Sequence, residues 1–203
     1  PPHDKGVINE VRKVKVEDIR TDSGSDLIKP LGVETDKKYL EQVKSLSLGD
    51  AGKNDLSIVF TSIHGTTITV LPDALKACGF TKVHVVEEQA EPDGNFPTVK
   101  SPNPEEAAAL HMAVEKAKEL DADLVIGCDP DGDRVGLAVR NLRGELELIN
   151  GNQAASVLIY YLLEKWKENG KLTGNEFIAK TVVTTELLDE IAKHYGVDCP
   201  HCL

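Results

Sequence analysis

The feature that most constrains this chain is a series of short apolar runs separated by helical segments. Leu56-Ser57-Ile58-Val59-Phe60, Lys82-Val83-His84-Val85-Val86 and Leu124-Val125-Ile126-Gly127-Cys128 each read as a strand. The last is continuously apolar, as a strand covered on both faces should be. Between the first two, Val70 to Cys78 reads as a helix stopped by Gly79, a usual residue just past a helix end. Before the third, Ala107, Leu110, Val114 and Ala117 line one helical face. Asn103-Pro104-Glu105-Glu106 reads as the start of that helix, with an N-cap, a Pro at the first position and acids in the first turn. The order β-α-β-α-β implies right-handed crossovers and a parallel sheet.

The flanks extend this pattern. Val7, Ile8 and Val11 share a helical face, Lys13 to Val16 alternates like a short edge strand, and Thr21 to Asp26 is a polar loop. Tyr39, Leu40, Val43 and Leu46 have helical spacing, closing at Gly49. Val135 to Val139 and Glu145 to Ile149 form a hairpin around Asn141-Leu142-Arg143-Gly144. A long helix follows Asn150-Gly151-Asn152, then a strand at Phe177 to Val183 and a helix at Glu186 to Tyr195. The expected architecture is α/β: a mainly parallel-sheet, three-layer α/β/α domain over residues 51–150, followed by the start of a second, similar domain over 151–203. Residues 1–50 read as the tail of a preceding domain plus a connecting helix. The opening Pro1-Pro2-His3-Asp4 and the closing Cys202-Leu203 read as cut ends.

Charge and cysteine usage narrow the function classes. Thirty-four acids against 23 bases give a net charge of −11, with no basic patch for nucleic acid or an anionic membrane. No apolar run approaches the roughly 18 residues of a membrane span. Cys78 and Cys128 fall where inert buried thiols are common. Cys199-Pro200-His201-Cys202 has the spacing of a thiol–disulfide redox motif, but that chemistry uses a helix N-terminus and only Leu203 follows. The sequence favours a reducing, cytoplasmic compartment over a redox pair, and over zinc held through His194 or His201.

The chemistry concentrates in Asp129-Pro130-Asp131-Gly132-Asp133-Arg134, directly after the third strand. Ligands of parallel α/β sheets bind beyond the carboxyl ends of the strands, which is where this loop must lie. Pro130 and Gly132 favour a tight path that turns the three carboxylates together. Held roughly 4 Å apart, they repel by about 4 kcal/mol per pair at an effective dielectric of about 20, which a cation among them would offset. Hard oxygen donors on a compact loop suit Mg²⁺. An EF-hand fails, because Arg134 and Arg140 stand where Gly and Glu are needed.

The whole loop resembles the Asp-x-Asp-x-Asp-Arg metal loop of the α-D-phosphohexomutase superfamily, the phosphoglucomutases and phosphomannomutases. Thr61 to Thr66 is similar to the segment that opens that family's second domain. Asp93 to Lys100 and Pro102 to Glu106 resemble its next stretch, and Thr181 to Leu187 a strand and helix of its third domain. The resemblance implies an intramolecular phosphotransferase: a phosphoserine exchanges its phosphoryl group with a sugar phosphate through a sugar bisphosphate. It implies Asp129, Asp131 and Asp133 as Mg²⁺ ligands and Arg134 as a catalytic contact to the phosphoryl group. The family's Ser-His-Asn-Pro phosphoserine loop, its sugar-binding loop and its phosphate loop do not occur in this sequence. They are expected on the missing domains of the same polypeptide, so the chain alone should be inert.

Three side chains stay open at this stage. His64, past the first strand, either borders the cleft as a substrate contact or caps loop backbone groups. Lys100 reads as a solvated cation before an anion contact, and Ser62 as a loop serine before a nucleophile. Haloacid-dehalogenase phosphatases share Asp-x-Asp but expect Thr or Val at Asp133, which leaves an Asp-nucleophile phosphatase as one alternative. A non-catalytic Mg²⁺ or sugar-phosphate binding module is another.

Overall fold

A computed structural model describes residues 2–19, 21, 24, 26–49 and 55–203. It divides into two compact units, residues 1–37 and 38–203. The first holds α1 (Pro2–Val11) and a 3₁₀ turn at Val16–Asp18. Val7, Ile8 and Val11 lie on α1 as their spacing required, and all three are exposed. The edge strand expected at Lys13 to Val16 does not form. Lys13 and Val14 instead close the end of α1, their N–H groups donating to Glu10 and Val11 carbonyls, and Val16 enters the 3₁₀ turn. Half of the 21–26 loop, and the expected boundary at 50/51, lie outside the described residues. Helix α2 (Val33–Ser45) spans the division between the units.

The second unit is built on five strands: β1 (Ser57–Thr61), β2 (Lys82–Val85), β3 (Leu124–Cys128), β4 (Val135–Arg140) and β5 (Leu146–Ile149). Their order is β2-β1-β3-β4-β5. Strand β1 pairs in parallel with both β2 and β3, so the loops leaving β1 and β3 emerge side by side from one rim. The crossover helices are α3 (Leu71–Ala77) and α4 (Ala107–Glu119). Strands β4 and β5 add an antiparallel edge, turned where Asn141 Oδ1 accepts from the Arg143 and Glu145 N–H groups.

Packing explains which strand residues are apolar. Val59, Val125 and Ala138, from three neighbouring strands, meet Ala113 and Ala117 of α4 in one cluster, all at 0% exposure. Alanines on the helix let it approach the sheet closely, and Leu110 fills the remaining space beside Ile63. Each Val or Leu removed from water here contributes about 1.5–3 kcal/mol before entropy is counted. Helix α4 starts at Ala107, later than the Asn103-Pro104 signal suggested. Asn103 Oδ1 accepts from Glu105 N–H and Ser101 Oγ from its own turn donates to Glu106 Oε1, while Pro104 is buried in the core. The capping residues are thus spent on a turn that precedes the helix.

The remaining elements are α5 (Gly151–Glu168), β6 (Lys180–Thr181), α6 (Leu187–Tyr195) and β7 (His201–Cys202). Asn150 caps α5 through a reciprocal pair with Gln153. Leu163 of α5 packs with Ala192 of α6, Ile178 and Val197 in a small core of their own. The strand expected over Phe177 to Val183 shortens to β6 and an isolated bridge from Phe177 to Asp198, because only Lys180 and Thr181 find ladder partners, on β7. Val157, Leu158, Tyr160, Val183 and Leu187 are exposed on this segment. Among the described residues no helix is long and apolar enough to cross a membrane.

The cap at α5 provides a test of this local reading. Asn150→Ala removes an acceptor for Gln153 N–H and should cost about 1 kcal/mol in urea unfolding followed by circular dichroism. An unchanged midpoint would place the start of α5 elsewhere.

Candidate metal centre

The acidic loop begins where β3 ends, and its first residue is fully buried. Asp129 is 0% exposed, and each of its oxygens accepts from Arg134: Oδ1 from the backbone N–H and Oδ2 from Nε, both at 2.9 Å. The same two residues close the loop through Asp129 N–H to the Arg134 carbonyl, and Gly132 N–H donates to the Asp129 carbonyl. Gly132 sits at φ +76°, a conformation glycine adopts without strain, and a Cβ there would lie 2.7 Å from Thr67 Cγ2. This path brings one carboxylate oxygen each from Asp129, Asp131 and Asp133 within 4.8 Å of one another. Asp131 and Asp133 are exposed, so the cluster opens toward solvent from a buried base.

Charge is shared unequally within the cluster. Burial pushes the Asp129 carboxyl up, but the Arg134 N–H, the Asp133 side chain and the Arg134 guanidinium outweigh it and hold it below its ordinary value. Asp133 moves the other way, raised by its hydrogen bond to Asp129 and by the Asp131 and Asp129 charges. Arg134 is raised chiefly by its bond to Asp129. Its guanidinium is 56% exposed and is held through Nε, 3.6 Å from Asp133 as well. No described residue pairs with its terminal Nη groups. Three hard oxygen donors beside a guanidinium with free donors can hold a small divalent cation and an oxyanion next to it.

The loop leaving β1 fixes the acidic loop from the side. Thr66 donates to the Pro130 carbonyl through both its N–H, at 2.9 Å, and its Oγ1, at 3.1 Å. Such contact needs a glycine next door: a Cβ on Gly65 would lie 2.7 Å from the Pro130 carbonyl oxygen and 2.8 Å from that of Ser62. The preceding residues are strained to make the turn, with Ile63 at φ 47° and His64 at φ 59°. Hydrogen bonds offset this strain. His64 N–H donates to the Gln89 carbonyl at 2.9 Å, and Ile63 N–H to Thr61 Oγ1 at 3.1 Å.

His64 is part of this support. It is 4% exposed, with Nδ1 3.1 Å from the Glu91 carbonyl and Nε2 2.9 Å from Thr98 Oγ1. A carbonyl only accepts, so Nδ1 carries the proton and Nε2 accepts from the Thr98 hydroxyl. Thr98 Oγ1 in turn accepts from Gln89 Nε2, and Gln89 Oε1 accepts from Thr61 Oγ1 at 2.6 Å. Both ring nitrogens are thus engaged within the loop. Ser62 is equally committed: it is 1% exposed and its Oγ donates to the Gln89 carbonyl. Lys100 is exposed. Gln89, fully buried at the centre of this network, carries no motif by which the sequence singles it out. A cavity of about 460 Å³ adjoins the acidic loop, lined by Thr66, Thr67, Tyr39, Val43, Cys128 and Gly132.

Three parallel strands, a buried Asp at the end of the third and an Asp-x-Asp-x-Asp-Arg loop define the class to which this chain is similar. A sequence profile of phosphoglucomutase/phosphomannomutase alpha/beta/alpha domain II matches residues 37–144, and that of domain III matches residues 150–202. The chain therefore belongs to the phosphoglucomutase/phosphomannomutase family. Among its relatives is a phosphoglucomutase of Staphylococcus aureus, strain MRSA252, 35% identical over 171 residues, which are 84% of this chain and 30% of that protein. The chain thus spans about 30% of the length of this relative. A family protein of Burkholderia thailandensis shares the fold with a TM-score of 0.62 at 22% identity, over 82% of this chain and 32% of that one. Aspergillus fumigatus N-acetylphosphoglucosamine mutase, solved with GlcNAc-6P and magnesium, aligns with a TM-score of 0.54 at 12% identity, over 88% of this chain and 34% of that one.

Two substitutions test this geometry. Asp129→Asn puts an amide donor or a single neutral acceptor against Arg134 and should cost about 1–3 kcal/mol. Because Asp129 is held below its ordinary value, its contribution is complete above the usual carboxylate range and is lost as pH falls through the lowered pKa. The variant should therefore flatten the acid limb of a stability–pH profile, and an unchanged limb would contradict the ion pair. Gly65→Ala forces the two loops apart and should cost about 1–3 kcal/mol in the same unfolding assay.

Proposed function

We propose that this chain is the metal-binding part of a phosphosugar mutase. The full-length enzyme moves a phosphoryl group between the C1 and C6 (or C5) hydroxyls of a sugar phosphate, through a phosphoserine and a sugar bisphosphate. One observation carries the reading: Asp129, Asp131 and Asp133 converge at the carboxyl end of β3, within 4.8 Å, in a chain of this family. The donor set fits Mg²⁺, being three carboxylate oxygens with no nitrogen or sulfur. The magnesium and GlcNAc-6P bound by the Aspergillus protein support both the ion and the substrate class.

In this reading Mg²⁺ supplies Lewis-acid stabilisation of charge on the transferring phosphoryl group. Asp129, locked by Arg134 through both oxygens, keeps a second lone pair on each for the ion and sets the position of the site. Asp131 and Asp133 complete the protein's share from the solvent side. Arg134 is the catalytic contact: its Nε is anchored on Asp129, and its Nη groups reach the phosphoryl oxygens as a planar fork. His64 serves on the rim by holding the Thr61 to Thr66 loop against Pro130. The phosphoserine and the sugar contacts come from other domains of the same polypeptide, which works in the cytoplasm. Residues 51–150 form the metal-loop domain, between a tail of the preceding domain (1–50) and the start of the next (151–203).

The nucleophile's location separates this reading from a phosphatase. In the full-length enzyme, Asp129→Asn should lower kcat by roughly 10²-fold or more while mass spectrometry still finds the phosphoserine. The 203-residue chain alone should release no phosphate from sugar phosphates. Asp129-dependent phosphate release by the chain would falsify the mutase reading in favour of an Asp nucleophile. Metal binding should also follow Asp133, whose carboxyl is held above its ordinary value by its hydrogen bond to Asp129 and by the Asp131 and Asp129 charges. Mn²⁺ affinity, read by electron paramagnetic resonance, should start to drop above the pH at which an ordinary Asp titrates. A profile flat down to that range would contradict a role for Asp133.

A further inference from the structure

A second cluster of metal-ligating side chains lies in the segment matched by the domain III profile. Asp189 on α6, Cys199, and His201 on β7 bring a carboxylate oxygen, a thiol sulfur and an imidazole nitrogen within 4.8 Å of one another. The fold brings this cluster together from the α6 helix and the segment that follows it. Pairing of β6 with β7 sets Lys180 opposite His201, and α6 carries Asp189 to the same place. Lys180 is 5% exposed; its Nζ lies 2.9 Å from Asp189 Oδ2 and donates to the Thr184 carbonyl at 3.1 Å. That fixes one carboxylate oxygen and leaves Oδ1 to meet His201 Nε2 at 2.6 Å.

We propose that Asp189 Oδ1, Cys199 Sγ and His201 Nε2 form a three-ligand zinc site, with the fourth position left to water. A single oxygen, nitrogen and sulfur suit Zn²⁺ and not Mg²⁺, which takes oxygen ligands and rejects thiolate. Bond lengths of about 2.0–2.3 Å in a tetrahedron set ligand atoms about 3.3–3.6 Å apart. His201 therefore backs away from Asp189 by less than about one ångström as the ion takes the place of the hydrogen bond between them; the imidazole binds through Nε2 with its proton on Nδ1, and Cys199 gives its proton to solvent. The His201 side chain is 46% exposed, so this movement meets little packing. Carboxylate and thiolate together neutralise the ion, and Lys180, held on the other carboxylate oxygen, acts as the outer partner that orients the ligating carboxylate. Cys202 stands apart from the set: its Sγ donates to the Lys180 carbonyl at 3.3 Å. The Cys-x-x-Cys spacing is thus not used as a pair, and Asp189, which no local motif marks, supplies the missing donor.

Cobalt provides the test, because thiolate ligation gives Co²⁺ a sulfur-to-metal charge-transfer band that oxygen ligands do not. Titration of the 203-residue chain with Co²⁺ in a non-chelating reductant should develop this band to one equivalent. Zn²⁺ should displace it, and a large excess of Mg²⁺ should not. Cys199→Ser should abolish the band, Cys202→Ser should leave it, and His201→Gln should weaken Co²⁺ binding by about tenfold or more. If circular dichroism shows Cys199→Ser misfolded, His201→Gln at its half-exposed position decides. No band at millimolar Co²⁺, a band that survives in folded Cys199→Ser, a band lost in Cys202→Ser, or unchanged affinity in His201→Gln would each overturn the site.

Discussion

A carboxylate with no exposed surface must either lose its charge or find a cation, and Asp129 finds Arg134. Burial of an unpaired carboxylate costs several kcal/mol even after relaxation, so roughly every feature of the acidic loop is arranged around meeting that cost. The chain turns at Gly132 so that Arg134 can return to both oxygens of Asp129 at 2.9 Å. The same turn brings Asp131 and Asp133 up beside Asp129. The position of one buried charge thus fixes where the other two lie. The hydrogen bond to Asp129, and after it the Asp131 and Asp129 charges, hold the Asp133 carboxyl above its ordinary value.

The loop is held from outside as well as from within. Parallel pairing of β1 with β3 sets the two departing loops next to each other, and Thr66 joins them at the Pro130 carbonyl. This junction demands left-handed backbone at Ile63 and His64, which a β-branched residue adopts only under constraint. The constraint is the chain of hydrogen bonds through His64, Thr98, Gln89 and Thr61. His64, Ser62 and Gln89 therefore act on the acidic loop by holding the wall beside it in place. Under the proposed function, phosphoryl transfer needs its groups held within a fraction of an ångström, and a satisfied polar network would supply that rigidity.

What was legible in the sequence is what local spacing encodes. The strands at Leu56, Lys82 and Leu124, the hairpin at Asn141 and the capped helix after Asn150 each carry their signal within a dozen residues. The acidic loop could be read because its carboxylates and Arg134 share one six-residue run. The start of α4 falls later than its capping signal because Asn103 and Glu106, good capping residues, bond within a turn over the buried Pro104. The strand after Phe177 is shorter than its apolar pattern because such a pattern does not reveal how many partners a ladder will have. The contacts made across long stretches of chain were not legible at all. Thr66 meets Pro130 across 64 residues, and Thr61 meets Gln89 across 28. No periodicity or short motif records such pairs.

The account stands on the claim that Asp129, Asp131 and Asp133 converge in order to hold a divalent cation. Crystals of the chain soaked in Mn²⁺, with diffraction recorded at the manganese absorption edge, test it most directly. The account predicts one anomalous peak among the three carboxylates, at about 2.0–2.3 Å from an oxygen of each, with Arg134 still bonded to Asp129. Carboxylates splayed into solvent with no anomalous peak at millimolar Mn²⁺, or a peak coordinated by other residues, would contradict it.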